Sequence, residues 1–222
     1  MRTTALTFTS HTGGQGRTLA ACVAALAAAE RGSTLLITDN DDALATLGVG
    51  VFGAGAIGDV ADGLRVAITD GAQDVDSLAA LAGLGMPEQA RYVVTDLRNT
   101  PDADALACVA GFDVVPVLVI RRQYVALRRA TLAEDRDKRA HVVTFDEPAR
   151  ALSVGDVGTV LRVQGLTLTA PHSENIARVV DAGLLIGSTQ RDVIAYRDAL
   201  ADLLAPSSVV VGGFDVSKVR AE

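Results

Sequence analysis

The residues best equipped for chemistry form one run, His11-Thr12-Gly13-Gly14-Gln15-Gly16-Arg17-Thr18, set between a strand-like apolar segment and a helical pattern. Glycines in such a junction let the backbone close on an anion, and the helix N-terminus offers N–H groups that have no intrahelical partner. That is phosphate-binding chemistry. A working phosphate loop ends in Gly-Lys-Ser/Thr, the lysine reaching the β- and γ-phosphates and the hydroxyl binding Mg²⁺. Here Arg17 takes the lysine's place and Thr18 keeps the hydroxyl. Acid gathers at two other points, Asp39-Asn40-Asp41-Asp42 after one apolar run and Asp96 after another. The C-terminal edge of a parallel sheet is where α/β proteins place their ligands.

The elements that must position these groups follow from apolar periodicity. Strands are predicted at 4–9, 34–38, 64–69, 91–95, 114–120, 141–145 and 166–169, and helices at 18–30, 75–84, 103–110, 123–135, 154–163, 174–182 and 191–204. The segment 47–63 reads as a glycine-rich loop with a short helix, and 209–211 as a short extended piece. Strand-length runs alternating with helical patterns signify a three-layer α/β/α fold with a mostly parallel central sheet, here in a single domain of 222 residues. The helix after the loop, LAACVAALAAAE, is apolar almost all round and is therefore expected to be buried.

Composition narrows the function classes. The chain is 49% hydrophobic and 21% charged, so it can bury a sizeable core and is not a disordered chain. Its net charge of −7 argues against a protein coated in nucleic acid. No apolar run has the length to span a bilayer, the polar face of DVIAYRDALADLL is mostly acidic, and a cytoplasmic protein without stable membrane insertion is the expectation. Cys22 and Cys108 lie within apolar helical patterns and read as small buried hydrophobes. His11, His141 and His172 form no ligand cluster; His141 is expected to start a strand, with His11 and His172 as candidates to line a pocket.

Thr12-Gly13-Gly14-Gln15-Gly16-Arg17-Thr18 resembles the deviant Walker A loop, Lys-Gly-Gly-x-Gly-Lys-Thr, of the ParA/MinD family of P-loop ATPases. LLITDNDDALATLGV, RYVVTD, DVVPVLVIRRQYVALRRA and TLTAPHSENIARVVDAGLLIG resemble, in the same order, that family's switch strand, Walker B strand, following strand and helix, and late turn and helix. The resemblance implies ATP or ADP with Mg²⁺ as cofactors, held by Gly13, Gly14, Gln15, Gly16, Arg17 and Thr18. It implies Asp39 or Asp41 at the switch that positions the attacking water, and Asp96, with Thr18, beside the metal. Both family lysines are absent, one replaced by neutral Thr12 and the other by Arg17. Guanidinium is larger than ammonium and planar, so Arg17 is expected to compete with the phosphates for room in the cradle, which makes hydrolysis weak or absent. The degenerate members of the family that this implies are positioning or assembly factors, such as the CpaE/TadZ-type localisation factors of Flp pilus systems, acting as a homodimer with protein partners.

Other readings stay open at this level. One is a partition ATPase that binds DNA through Arg121, Arg122, Arg128 and Arg129, with Arg136, Lys138 and Arg139 close by, although a solvated basic face diluted by Glu134, Asp135 and Asp137 explains the same residues. Another is a scaffold that uses the fold without nucleotide. A third is a dinucleotide-binding oxidoreductase built on Gly14-Gln15-Gly16 and Asp39, against which Leu19 stands where that motif needs a glycine or alanine.

Overall fold

The computed structural model describes residues 2–50, 53–69, 90–99, 104, 106, 107, 111–133 and 140–205. The helix predicted at 75–84, most of that at 103–110 with Cys108, the charged residues 134–139 and the extended piece at 209–211 lie outside them. Eight strands form one sheet: β1 (Thr4–Thr9), β2 (Thr34–Thr38), β3 (Ile57–Ala61), β4 (Leu64–Ile68), β5 (Tyr92–Asp96), β6 (Asp113–Val119), β7 (His141–Phe145) and β8 (Thr167–Ala170). Their order is β3-β4-β2-β5-β1-β6-β7-β8, and every neighbouring pair is parallel except β3–β4. The helices are α1 (Arg17–Ala29), α2 (Asp42–Leu47), α3 (Tyr124–Leu132), α4 (Val154–Leu161), α5 (Glu174–Asp181) and α6 (Arg191–Ala201).

Apolar alternation on the strands dresses both faces of the sheet. Leu6 and Phe8 of β1, Leu36 of β2, Val94 of β5 and Val117 of β6 join α1, α5 and α6 in one buried cluster. Their neighbours Ala5, Leu35, Ile37 and Val93 face the other way, as do Leu118 and Val142, which pack against α3 and α4. The result is three layers, α/β/α. α1 is buried without interruption from Ala20 to Ala28, as its composition predicts, and its many alanines let it lie close on the sheet.

Two elements differ from the sequence reading. The glycine-rich stretch contains β3, which pairs antiparallel with β4 and carries a register irregularity between Asp59 and Ala61. A half-exposed edge strand shows little apolar alternation, which is why its pattern resembled a loop. The acidic cluster after β2 runs directly into α2, which ends at Gly48 in a left-handed turn (φ 75°).

The topology creates the crevice. Strands accumulate on one side of β1 up to β5 and on the other from β6 onward, so the chain reverses its direction of travel at β1, and the loop after β1 opens there. One wall of that crevice is fixed by the close approach of Gly48 to the turn after α5, where a Cβ on Gly48 would lie 1.9 Å from the Gly183 carbonyl oxygen. Left-handed backbone in a non-glycine residue costs roughly 1–2 kcal/mol and overpacking about 1–3 kcal/mol. Gly48→Ala is therefore expected to destabilise the protein by roughly 2–5 kcal/mol in urea denaturation. Gly50→Ala, where a Cβ meets nothing within 4 Å, is expected to stay within about 0.5 kcal/mol of the parent.

Candidate functional site

β1 ends at Thr9 and α1 begins at Arg17, with Gly16 as its N-cap in left-handed backbone (φ 82°, ψ 19°) and no side chain capping the first turn. The first-turn N–H groups therefore face the crevice without a side-chain acceptor, and no acid occupies that turn to repel an anion. Gly13 and Gly14 are exposed, and nothing lies within 4 Å of where their Cβ atoms would be. Gly16 is held differently: a Cβ there would stand 2.8 Å from Cζ of Phe145, whose ring in turn meets Tyr196 edge-on at 6.3 Å between centroids. The loop thus rests on an aromatic column that continues into the core.

Gln15 pins the loop sideways. Its buried amide Nε2 donates to the Gly13 carbonyl at 3.3 Å, while Oε1 accepts from the backbone N–H of Arg121 at 2.8 Å, just past the end of β6. Loop, Thr18, Asn40, Arg98 and the Ala182-Gly183 turn surround a cleft of about 1100 Å³, into which His11 also faces. Thr18 Oγ1 accepts a hydrogen bond from Asn40 Nδ2 at 3.4 Å, and Asn40 Oδ1 accepts from the Asp42 N–H at 3.0 Å. Asn40 sits in the acidic cluster without a charge, so only its side-chain contacts single it out.

The acids occupy distinct positions. Asp39 Oδ2 accepts from the Arg98 backbone N–H at 2.9 Å, tying the end of β2 to the segment after β5, and Asp41 is exposed at the N-cap of α2. Asp96 is fully buried at the end of β5. None of these three lines the cleft; Asn40 and Asp42 do.

The Arg17 guanidinium is engaged at the end of β5, a placement that its size alone does not suggest. Its Nε donates to Asp96 Oδ1 at 2.6 Å and its Nη1 to the Leu97 carbonyl at 3.0 Å, so the guanidinium folds back onto the end of β5. The Arg17 side chain is 15% exposed and that of Asp96 is not exposed at all. In such a setting a carboxylate needs a cation, and the forked guanidinium satisfies both it and the adjoining carbonyl. The negative field of Asp96 also reaches Cys22 one turn along α1, whose thiol is pushed up by burial first and by that charge second. Cys22 is buried with its Sγ 3.7 Å from the Ala43 carbonyl, as an inert hydrophobe.

The basic run after β6 divides. Arg122 donates to the Phe145 carbonyl at 3.0 Å and the Glu147 carbonyl at 2.6 Å, and Arg121 pairs with the Glu147 carboxylate at 2.9 Å. Arg150 adds a two-pronged pair to the same carboxylate, at 3.0 Å for each contact. Arg128 and Arg129 alone of the four remain exposed, on α3. Glu147, 5% exposed in its side chain, is the residue that the sequence reading passed over, because its partners are distant in the chain or embedded in a basic stretch. Burial by itself would raise its pKa, but the Arg150 hydrogen bond and the charges of Arg121, Arg150 and His172 outweigh it and hold the carboxyl below the ordinary value. His141 begins β7 as expected; burial lowers its pKa, and its Nδ1 accepts from the Leu166 N–H at 2.9 Å.

A glycine-rich strand-to-helix loop at the reversal point of a mostly parallel sheet, with helices on both faces, is the architecture of a P-loop fold. No family model and no curated protein matches the chain. Solved structures do. A chain of the Aquifex aeolicus MinC:MinD cell division protein complex is 17% identical, with a TM-score of 0.69 over 93% of this chain and 98% of that one. Septum site-determining protein MinD of Pyrococcus horikoshii, complexed with Mg-ADP, is 14% identical, with a TM-score of 0.71 over 92% and 96%. A putative plasmid partition protein of Borrelia burgdorferi bound to AMPPNP is 13% identical, with a TM-score of 0.65 over 91% and 98%. The chain has the fold of these MinD and ParA-type structures.

Removing one member of a buried ion pair costs about 3–5 kcal/mol, whereas replacing both by apolar groups is often neutral. Arg17→Met is expected to lose about 3–5 kcal/mol in chemical denaturation, and adding Asp96→Leu to recover much of it. For Glu147 the folded pKa is depressed, so its stabilisation is complete above the ordinary value of 4.5 and is lost as pH falls through the folded value. Denaturation of the parent and of Glu147→Gln is expected to show a stability gap that is constant near neutrality and closes progressively below pH 4.5.

Proposed function

We propose that this protein is a ParA/MinD-like positioning or assembly factor that binds an adenine nucleotide at Gly13–Thr18 and hydrolyses it slowly or not at all. The observation that carries this reading is the split between backbone and side chain at the loop. The backbone retains what phosphate binding needs: a left-handed Gly16, uncapped first-turn N–H groups and an open space above Gly13 and Gly14. The side chains lack what phosphoryl transfer needs, because Thr12 is neutral and the Arg17 charge is committed to Asp96. Interactions made only in the transition state accelerate the chemical step, and here the cationic ones are spent elsewhere.

The structural neighbours support each half of the proposal. The Pyrococcus protein is complexed with Mg-ADP and the Borrelia protein with AMPPNP, and the Aquifex MinD is found with MinC, a protein partner. By extension this chain signals its nucleotide state to a protein partner, as a homodimer in the cytoplasm, with Flp pilus localisation as the specific role we favour. The partition reading is less favoured, since Arg121 and Arg122 are taken up by Glu147 and by carbonyls. No helix among the described residues is long and apolar enough to cross a membrane.

Calorimetry with ADP and a phosphate-release assay test the proposal together. ADP is expected to bind the parent, and Gly16→Val to abolish binding, because the left-handed backbone and the Phe145 ring both oppose a side chain there. Turnover is expected below about 0.1 s⁻¹, against roughly 1–100 s⁻¹ for kinases, and to rise in the double variant Thr12→Lys/Arg17→Lys. Unchanged ADP affinity in folded Gly16→Val would remove the site, and a fast parent slowed by the double variant would remove the weak-turnover reading.

A further inference from the structure

Resting on the nucleotide-binding reading of the loop, we infer that the Arg17 guanidinium fills the place at Asp96 that a divalent cation would take. The loop then takes its polyphosphate free of metal, and Asp96 is the arginine's anchor rather than a metal ligand.

The donor set around the loop does not fit Mg²⁺. That ion prefers one or two carboxylates, substrate phosphate and several waters in a near-ideal octahedron. The acid that the fold would offer, Asp96, has Oδ1 occupied by Arg17 Nε at 2.6 Å, and its Oδ2 is enclosed without any hydrogen-bond partner. A cation approaching that carboxylate from the cleft meets a guanidinium first, and like charge repels it. The hydroxyl that would be the second ligand, Thr18 Oγ1, accepts from Asn40 Nδ2, and Asn40 is itself held by the Asp42 N–H. Among the described residues no three His, Cys, Asp or Glu side chains converge to provide another ligand set.

The rival arrangement is a switch in which phosphates draw Arg17 away and free Asp96 for metal. It would strip a fully buried carboxylate of its arginine while its other oxygen already lacks a partner, and would give up the Leu97 carbonyl contact as well. Mg²⁺ gives up its waters reluctantly and would have to do so to reach a carboxylate with no exposure, so the guanidinium stays and the phosphates meet the backbone N–H groups of the helix start. The positive potential that the anion meets is then that of the helix N-terminus, and it does not depend on free Mg²⁺.

The test is calorimetry on the full chain with ADP and with inorganic tripolyphosphate, each in excess Mg²⁺ and in EDTA, together with Mn²⁺ paramagnetic resonance of the ADP complex. The expected result is ADP affinity in EDTA within about threefold of that in Mg²⁺, and no protein-bound Mn²⁺ signal attributable to Asp96, meaning a spectrum unchanged in Asp96→Asn. Arg17→Met uncovers the carboxylate, and in that variant ADP affinity is expected to become dependent on Mg²⁺ by about tenfold or more. The parent arms suffice if Arg17→Met does not fold. Affinity of the parent that falls about tenfold or more in EDTA, or a Mn²⁺ signal altered by Asp96→Asn, overturns this inference while leaving nucleotide binding in place. Failure of ADP and tripolyphosphate to bind under either condition overturns both.

Discussion

A helix enclosed on every side cannot roll or slide without opening a void, and α1 is enclosed from Ala20 to Ala28. Its packing against β1, β2, β4 and β5 fixes the direction in which its first residues leave the sheet. Arg17 and Thr18 are therefore aimed by the core and not by the loop that precedes them. The small side chains that make this close packing feasible are the same ones that gave the sequence its unbroken alanine-rich run.

At the N-terminus of that helix the electrostatics are unusual. A helix start carries partial positive charge and is stabilised by acid; α1 has none in its first turn and begins with an arginine. Asp96 supplies the missing negative charge from the neighbouring strand, and one carboxylate thereby answers both the guanidinium and the helix end. Gln15 and Phe145 complete the support, one reaching the backbone after β6 and the other lying under Gly16. The loop is held by three strands that are far apart in the chain.

What could be read from the sequence follows from this division between local and distant determinants. β1 and β2 fall at Thr4–Thr9 and Thr34–Thr38 as predicted, and α1 within a residue at each end, because apolar periodicity and glycine punctuation are local signals. The glycine turn at Gly16 between β1 and α1 was legible for the same reason. The course of Arg17 was not, since its partner lies 79 residues away and nothing in either neighbourhood announces the pairing. Glu147 was missed on similar grounds: Arg121 comes from β6's end and His172 from beyond β8, and only folding brings them to one carboxylate. β3 escaped because a strand with only one partner and little burial need not alternate.

That edge strand bears on how the protein behaves when crowded. β3 presents the outer rim of the sheet, where unsatisfied N–H and carbonyl groups invite another chain to add a strand. The irregularity between Asp59 and Ala61 breaks the rim's register, and Asp59, with its side chain 80% exposed, holds an ion pair with Arg65 on it at 2.9 Å. Strand addition there meets a bent and charged template. Two copies brought together at high concentration thus meet an edge that resists joining one sheet to the next.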